Sequence, residues 1–480
     1  MTGDLALLAP ELVVGATSIV VLFVNPVARA WRRLPTLVAS GGLAAALVMV
    51  LMSISEKRTI FGGLLAVDSF GSTAKVILLV AAIFVVGMSA DYFLSTRRAS
   101  LAEYYSLMLF SVLGAMLMVG SQNFITFFLA LQLTSIPLYI LAGFDRLDAK
   151  SNEAAVKFLF LGMIASVIML YGISLVYGLV DTIQFDTLQT ALPKAYEARA
   201  AIALSVIFIL AGFAFKVSAV PFHFWVPDTY EGAPTPATTF LATVPKVAGV
   251  AALVRFYFVV LPAPELVWTH QIMAFSALLT MTMGNLLALT QTNIKRMLAY
   301  SSVTHIGYML IALAVGTRMA FSAITFYLVV YILANVCAFA VVLAIARIDR
   351  RHLIEGFAGL SSRAPLLAAA MGVSLISMLG IPPTAGFMGK LQIFSSAIDG
   401  GLVWLAVAGV ANSLVSAVYY VNVLKQMYMT EPAAPERVPV PIGVRAVVVF
   451  SMAGIAAIGF FPGPLLDWMY KMTAIAGRFK

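Results

Sequence analysis

The sequence contains few charged residues and only one cysteine. Asp, Glu, Lys and Arg make up 11% of its 480 residues, whereas soluble domains carry about 25%. A single cysteine, Cys337, excludes disulfides and any four-cysteine iron–sulfur cluster within the chain. The four histidines are too scattered to indicate a haem: His270 and His352 are predicted in loops, and His223 and His305 in apolar runs. We therefore expect no redox centre, bound cofactor or metal site in this chain.

The chain also lacks the charge pattern of a nucleic-acid-binding protein. Its net charge is +9, but the basic residues are scattered through short segments and form no stripe. They are better explained as determinants of membrane topology, so no nucleic acid partner is expected. The N-terminus has no basic n-region and no small-residue cleavage site, which predicts a retained first helix and not a signal peptide.

Long apolar runs dominate the rest of the sequence. Hydrophobic residues make up 62% of the chain, and about 20 consecutive apolar residues suffice for one helical crossing of a bilayer. The runs are continuous, which disfavours the alternating strands of a membrane β-barrel. The predicted fold is an all-α polytopic membrane protein with about fourteen transmembrane helices, which begin near residues 5, 34, 72, 101, 123, 153, 200, 235, 270, 297, 319, 365, 402 and 442. A short amphipathic tail is predicted after Pro464.

Basic residues are concentrated in the connections that follow odd-numbered spans. Arg32, Arg33, Lys150, Lys295 and Arg296 are examples. The positive-inside rule places such connections in the cytoplasm, and both termini then lie on the periplasmic side.

Three lysines lie inside long apolar runs. Lys216 is within residues 209–226, Lys246 within 237–254 and Lys390 within 375–394. An ionisable group at this depth costs roughly 2.5–3.5 kcal/mol even on lenient insertion scales, so it indicates a functional site. A desolvated lysine can lose its proton near neutral pH, whereas arginine keeps its own. The pattern indicates transport of protons or cations, and the alternative is a side chain that snorkels to the membrane surface.

Two predicted spans are interrupted by proline. The seventh is interrupted at Pro221 and the twelfth at Pro382–Pro383, each near one of the buried lysines. Since the two lie five spans apart, the units that contain them would insert with opposite topology. Broken helices at matching places in inverted repeats mark the central site of many transporters. The alternative is that these prolines only kink ordinary helices.

Other polar residues near the apolar runs are weaker candidates. Glu153 and Lys157 are spaced i, i+4, which suits either a functional pair or an ordinary surface ion pair. His223 lies seven residues after Lys216 and could equally be a packing histidine. His305 lies in a polar cluster that could hold a water chain or form hydrogen bonds between helices; its other members are Tyr300, Ser301, Ser302, Thr304 and Tyr308.

Charged residues near predicted span ends are weaker candidates for the functional site. Asp228 and Glu231 could line the polar mouth of a channel or cap the eighth span. An interfacial position is predicted for four others, namely Lys75, Asp91, Glu103 and Arg255.

Three segments carry a family resemblance that extends over essentially the whole chain. They are FKVSAVPFHFWVPDTYEGAPTPATTFLATVPKVAG (215–249), NIKRMLAYSSVTHIGYMLIA (293–312) and GIPPTAGFMGKLQIF (380–394), and SNEAAVKFLFLGMIAS (151–166) fits the same pattern. The chain resembles subunit N of the proton-pumping NADH:quinone oxidoreductase, respiratory complex I. The second segment is shared by all antiporter-like subunits, and the PDxYEGxPTP element is the more specific one.

The resemblance implies a fold and a set of roles. It implies inverted five-helix repeats over spans four to eight and nine to thirteen, hence units 1–98, 99–260, 261–430 and 431–480. It implies proton relay by Lys216, Lys246 and Lys390, with Lys157, His223 and His305 assisting. NADH, FMN, iron–sulfur clusters and quinone are expected in other subunits, with other antiporter-like subunits as partners in a bacterial inner membrane.

One position departs from the family pattern. The family usually has a glutamate in span five paired with the span-seven lysine, and this sequence has Gln132 there. Glutamine does not titrate. Either Glu153 therefore takes the place of the usual glutamate, or the half of the chain around Lys216 works without a carboxylate that controls the charge of this lysine. The rival functions are a subunit of a multisubunit cation/proton antiporter and a structural scaffold.

Overall fold

The computed structural model describes residues 2–27, 31–96, 100–261, 266–347, 349, 351–432 and 437–472. The predicted boundary between units at residues 98 and 99, and the end of the predicted C-terminal tail, lie outside the described residues. Two short 3-10 helices, Tyr196–Ala198 and Ile354–Phe357, lie in connections.

Twenty α-helices and one β-hairpin are found in the described residues. The N-terminal part comprises α1 (Thr2–Leu7), α2 (Ala9–Val27), α3 (Leu34–Met52), β1 (Arg58–Ile60), β2 (Leu65–Val67) and α4 (Ser69–Thr96). Next come α5 (Leu101–Gly120), α6 (Phe124–Ala142), α7 (Ala149–Val180), α8 (Phe185–Lys194), α9 (Arg199–Val217), α10 (Trp225–Gly232) and α11 (Thr235–Val260). They are followed by α12 (Trp268–Leu289), α13 (Ile294–Val315), α14 (Arg318–Ile345), α15 (Leu360–Arg363), α16 (Pro365–Leu379), α17 (Ala385–Asp399) and α18 (Val403–Met429). The chain closes with α19 (Ile442–Phe460) and α20 (Gly463–Met472).

The predicted fold class is confirmed. In the described part of the chain, 12 helices are long and apolar enough to cross a membrane, and α16 and the segment Ala9–Val24 are shorter apolar helices. The count of about fourteen spans stays a prediction. The hairpin is a short antiparallel pair, with Arg58 opposite Val67, in the connection between α3 and α4.

Helix starts follow ordinary capping chemistry. The side chains of Asn123, Asp148, Asn293 and Thr317 each accept a hydrogen bond from a backbone N–H in the first turn of α6, α7, α13 and α14. Such side chains satisfy donors that a helix start otherwise leaves unpaired. These caps fix where the long helices begin.

The helices differ sharply in burial. Every residue of α11 is buried, and α13 and α14 are buried over nearly their whole length. In contrast α7 exposes a long apolar face that includes Phe160, Met163 and Val167. Because lipid is as apolar as these side chains, the exposed face suits the bilayer. The candidate lysine of α11 therefore lies at the centre of the bundle.

Both predicted broken helices are confirmed. The first break separates α9 from α10, and the second separates α16 from α17. At each break the first half-helix ends on a left-handed residue, Ser218 (φ 70°) or Gly380 (φ 87°), and a cis proline follows at Pro221 or Pro383. A break inside a span leaves backbone carbonyl groups at the end of the first half-helix without intrahelical donors.

The interfacial position predicted for two cations is wrong. Arg255 is 1% exposed and binds both carboxylate oxygens of Asp68, at 2.7 and 2.9 Å. Lys75 lies in an equally buried ion pair with Glu11 of α2, at 2.5 Å. These two ion pairs could not be predicted from the position of each cation along its own helix, because the partner carboxylates lie far away in the sequence.

The remaining predictions for charged residues and histidines near span ends hold at three positions and fail at one. Asp91 does pair with an exposed cation, Arg33, at 3.0 Å, and Glu103 is exposed in the first turn of α5. His352 lies in a loop as predicted. His270 does not, because it is in the first turn of α12, where its Nδ1 lies 3.0 Å from the Ala314 carbonyl oxygen.

Candidate functional site

The three candidate lysines are buried in the bundle. Lys216 is 7% exposed, Lys246 1% and Lys390 4%. Their ammonium groups therefore do not reach the membrane surface, and the snorkelling alternative is excluded.

Neutral oxygens contact each of these ammonium groups. Lys216 Nζ donates to Ser135 Oγ at 2.9 Å, and Lys246 Nζ donates to Ser302 Oγ at 2.6 Å. Lys246 Nζ also lies 5.6 Å from the centre of the Tyr230 ring. Among the described residues, none of the three lysines forms an ion pair with a carboxylate. They can therefore gain or lose a proton without breaking an ion pair.

Lys390 is tied to the second break. Its Nζ donates to the Leu379 carbonyl oxygen at 2.9 Å and to Ser413 Oγ at 2.7 Å. Leu379 is the last residue of α16, where carbonyl groups lack intrahelical donors and carry the negative end of the helix dipole. The face of Tyr308 lies 4.7 Å from the same ammonium group. A cation–π contact and a helix end thus hold this lysine.

His305 lies between two phenols. Its Nδ1 is 2.7 Å from Tyr327 Oη and its Nε2 is 3.3 Å from Tyr420 Oη. Ser301 Oγ also hydrogen-bonds to Tyr420 Oη. The polar cluster predicted around His305 does form hydrogen bonds between helices, which was one of its two interpretations.

The first break contains His223. This histidine is 2% exposed, its ring packs on Phe224, and among the described residues its Nδ1 has no hydrogen-bond partner. Gln132 is half-buried in α6, and the Ser135 that contacts Lys216 follows it by one helical turn. The structure thus offers Lys216 a hydroxyl from the span in which the family usually places a glutamate.

Glu153 does not contact Lys216. It pairs with Lys157 at 2.7 Å, and both side chains are largely exposed. Lys157 also contacts Asp228 Oδ2 at 2.9 Å. The surface interpretation of the Glu153–Lys157 pair is therefore correct, although the pair is part of a larger arrangement.

That arrangement is a cluster of ion pairs joining α7, α10 and α13, which we call the charged cluster. Arg296 Nη1 contacts Asp228 Oδ1 at 2.7 Å and Glu231 Oε2 at 2.9 Å. Lys150 contacts Glu231 at 3.0 Å. Its members are Lys150, Glu153, Lys157, Asp228, Glu231 and Arg296. The cluster fixes the short helix α10 to both of its neighbours.

The carboxylates of α10 are held ionised. Partial burial raises the pKa of Asp228, but hydrogen bonds from Lys157 and Arg296 outweigh it and bring the pKa below its usual value. The pKa of Glu231 is lowered in the same way by Lys150 and Arg296. The capping interpretation of these two acids is not supported, because the N-cap residue of α11 is Pro234 and no side chain caps the helix.

Beside the charged cluster lies a cavity of about 420 Å³. Its lining includes Asp148, Lys150, Glu231, Lys295 and His352. Lys295 is 1% exposed, and its Nζ donates to the carbonyl oxygens of Glu231, at 2.9 Å, and Ala233, at 2.6 Å. Lys295 thus binds the carbonyl end of α10 at the wall of the cavity.

Several of these residues were missed in the sequence. Lys295 and Arg296 occupy the first turn of α13, where the positive end of the helix dipole disfavours cations. That conflict is a signal that carboxylates or carbonyl groups must face them. Ser302 and Tyr308 were among the polar residues noted around His305, whereas Ser135, Ser413, Tyr327 and Tyr420 gave no signal, because serine and tyrosine are common in membrane helices.

The described residues bring together no group of three or more His, Cys, Asp or Glu side chains that could hold a metal ion. The site contains amines, hydroxyl groups, imidazoles and carboxylates, all of which can exchange protons. The three lysines and His305 are its buried members, and the charged cluster is its more exposed part.

Comparison with known proteins gives three findings. A family model described as NADH:quinone oxidoreductase/Mrp antiporter, TM, matches residues 121–416. The chain is 41% identical over 433 residues to NADH-quinone oxidoreductase subunit N of Paramagnetospirillum magneticum, which covers 88% of each chain. It is also similar to a chain of respiratory complex I from Thermus thermophilus, with 33% identity, a TM-score of 0.81, and coverage of 95% of this chain and 98% of that one.

A further solved structure bears on the antiporter alternative. A chain of the Mrp complex from Dietzia sp. DQ12-45-1b superposes with a TM-score of 0.86, covering 99% of this chain and 97% of that one. The sequence identity is 20%, so this likeness shows the shared fold alone. The antiporter alternative is therefore not favoured over the relatives named subunit N.

Proposed function

Because this chain belongs to the family of NADH-quinone oxidoreductase subunit N, we propose that it is a proton-translocating membrane-arm subunit of such a complex. The observation that carries the proposal is the set of three buried lysines, each held by neutral oxygens. Quinone reduction in other subunits would change the electrostatic field along these lysines and shift their protons. Each charge that crosses stores about 2.3 kcal/mol per 100 mV.

The proposed relay runs through Lys216, Lys246 and Lys390. Lys157 and the charged cluster lie at its surface end, and His223 and His305 exchange protons with the lysines. At the second break the ammonium group of Lys390 is stabilised by the Leu379 carbonyl oxygen. Loss of a proton weakens both that contact and the cation–π contact with Tyr308, so the neutral amine is held less tightly than the ammonium group.

The half of the chain around Lys216 is proposed to work without a carboxylate switch. Gln132 and Ser135 are both in α6, Ser135 contacts Lys216, and neither side chain titrates near neutral pH. The charge of Lys216 would then respond mainly to its lysine neighbours and to His223. Glu153 acts through Lys157 at the surface.

The redox chemistry is assigned to other parts of the complex. NADH, FMN, iron–sulfur clusters and quinone would bind there, and this chain would hold no cofactor or catalytic redox centre. Its partners would be neighbouring antiporter-like subunits in a bacterial inner membrane, with both termini on the periplasmic side. Residues 99–260 and 261–430 would form the two inverted repeats, between an N-terminal unit and a C-terminal one.

The test is substitution of the buried lysines in the assembled complex. Lys246→Met and Lys390→Met keep an apolar stem of similar length and remove the amine. We expect both to lower NADH-driven proton uptake by membrane vesicles while assembly is preserved. Lys425→Met is the matched control, because Lys425 is an exposed lysine of α18.

Two outcomes would contradict the proposal. Normal proton uptake per NADH in both variants would mean that the buried lysines carry no protons. Proton flux driven by a sodium gradient in the absence of NADH would favour the antiporter function instead.

A further inference from the structure

The side chains of Tyr327, His305, Tyr420 and Ser301 form an unbroken line of exchangeable groups inside the bundle. Tyr327 Oη lies 2.7 Å from His305 Nδ1, and His305 Nε2 lies 3.3 Å from Tyr420 Oη. Tyr420 Oη in turn hydrogen-bonds to Ser301 Oγ. All four side chains are buried. The line crosses from α14 to α13 and α18, and we call it the phenol–imidazole line.

One end of this line lies at Lys246. Ser301 is followed directly by Ser302, whose hydroxyl accepts the hydrogen bond of Lys246 at 2.6 Å. Both serines are in α13, so the end of the line and the lysine's partner are adjacent in the same helical turn.

The other end lies at Lys390. The Tyr327 ring packs so closely on Gly389 that a Cβ there would lie 2.6 Å from Tyr327 Cδ2. Gly389 directly precedes Lys390 in α17. Tyr308 lies between Lys390 and His305. Its ring centre is 4.7 Å from the Lys390 ammonium group and 5.9 Å from the centre of the His305 ring. The line therefore lies between residues next to the contacts of Lys246 and Lys390. Because successive residues of a helix point in different directions, a water molecule would have to join each end of the line to its lysine.

Resting on the proposed function, we propose that Tyr327 and Tyr420 are relay residues that carry protons between Lys390 and Lys246 through His305. A neutral imidazole has one donor nitrogen and one acceptor nitrogen, and a phenol can both donate and accept. Each member of the line therefore has the two capacities that stepwise proton transfer requires.

The transfer balances at every atom. In the starting state Tyr327 Oη donates to Nδ1, Nε2 donates to Tyr420 Oη, and Tyr420 Oη donates to Ser301 Oγ. A proton that leaves the Lys390 ammonium group and arrives at Tyr327 Oη moves the phenol hydrogen to Nδ1, the Nε2 hydrogen to Tyr420, and the Tyr420 hydrogen to Ser301. Ser301 passes its own hydrogen through a water molecule to the neutral amine of Lys246. Lys390 is then neutral, Lys246 is charged, and His305 is left as its other neutral tautomer. Transfer in the opposite direction restores the starting state.

The neighbouring tyrosine offers a contrast within the same helix. Tyr419 is also buried, and its ring lies 4.4 Å from that of Tyr420. Its hydroxyl donates to Asn285 Oδ1 at 2.9 Å. Tyr419→Phe thus removes a neighbouring buried hydroxyl and keeps all four members of the phenol–imidazole line.

The experiment compares Tyr420→Phe, Tyr327→Phe, their double variant and Tyr419→Phe in the assembled complex. Phenylalanine keeps the ring and removes only the exchangeable hydroxyl. The measurements are the amount of assembled complex, and the initial rate of NADH-driven proton uptake by vesicles normalised to that amount. We expect each single variant of the line to lower the uptake rate at least about tenfold, as loss of a proton-transfer group does. Tyr419→Phe should match the wild type.

The double variant separates a relay from a structural role. If protons pass through Tyr327 and Tyr420 in series, removal of either hydroxyl already interrupts the path. The double variant should therefore lose no more of the proton-uptake rate than either single variant. If the hydroxyls only stabilise packing, the losses would add and would follow the amount of assembled complex. That result would overturn the inference.

Failure of the inference can be told apart from failure of the proposed function. Wild-type uptake in Tyr420→Phe and Tyr327→Phe, together with loss of uptake in Lys246→Met, would overturn the phenol–imidazole line alone. Wild-type uptake in both Lys246→Met and Lys390→Met would overturn the proposed function. If Tyr420→Phe does not assemble, the result for Tyr327→Phe decides the question.

Discussion

Replacement of Arg255 by methionine should strongly destabilise the protein. Arg255 Nη1 and Nη2 bind the two oxygens of Asp68, and its Nε donates to the Val119 carbonyl oxygen at 2.7 Å. These contacts join α11 to the start of α4 and to the end of α5. Methionine leaves Asp68 buried with the Gly71 backbone N–H, at 2.7 Å, as its remaining close donor. Removal of one partner of a buried ion pair costs about 3–5 kcal/mol.

The effect should depend on pH in a direction that the structure sets. Burial raises the pKa of Asp68, but Arg255 outweighs burial and brings the pKa below its ordinary value. A lowered pKa means that the pair stabilises the wild type fully above the unfolded pKa, and that this is lost as pH falls through the folded value. In the variant burial is no longer opposed by Arg255, so protonation of Asp68 relieves its desolvation. The difference in stability should be largest at neutral pH and shrink on acidification.

The assay is a double-mutant cycle on the unfolding free energy, measured by titration with sodium dodecyl sulfate in mixed micelles. Arg255→Met with Asp68→Asn should be more stable than Arg255→Met alone, because the amide removes the uncompensated charge. Arg255→Lys should be intermediate, since a point charge cannot reproduce the planar fork. Equal stability of Arg255→Met and the wild type at neutral pH would refute the reasoning.

Two further predictions concern the surface end and the second break. Lys295→Met should destabilise the protein by roughly 2 kcal/mol, because the Glu231 and Ala233 carbonyl groups lose their shared donor. The same titration with sodium dodecyl sulfate measures this loss, and an unchanged unfolding midpoint would contradict the prediction. Gly380→Ala should cost about 1–2 kcal/mol because of its left-handed backbone, and should also lower proton uptake, since the new Cβ would lie 2.9 Å from Lys390 Cδ. Gly401→Ala is the control, because Gly401 has φ +78° with nothing within 4 Å of its Cβ; equal uptake in the two variants would argue against displacement of Lys390.

Much of the architecture could be predicted from local sequence. Asp148 and Asn293 precede apolar helical runs and do cap α7 and α13. Pro221 and Pro382–Pro383 mark the two breaks because proline cannot continue a helix of this kind without loss of a backbone hydrogen bond. The burial of Lys216 and Lys246 also followed from their distance to either end of an apolar run, whereas Lys390 lies nearer the end of its run.

The partners of the buried charges could not be predicted in the same way. Ser302 lies 56 residues from Lys246, and Asp68 lies 187 residues from Arg255. Periodicity along one helix indicates which residues are near its ends, but it does not show which distant helix faces them. For that reason the interfacial position assigned to Arg255 and Lys75 was wrong, and Glu153 was considered for Lys216 although it faces Lys157.

The charged cluster has a consequence for which ions can approach the lysines. Its three cations and three carboxylates pair with one another, so their charges cancel. Cation channels instead carry rings of unpaired carboxylates, which concentrate sodium or potassium at the entrance. If the proposed relay begins at the charged cluster, an entrance without excess charge would enrich neither metal cations nor anions. Discrimination in favour of protons would then depend on exchange through water and hydroxyl groups, a route that would be closed to any ion that keeps its hydration shell.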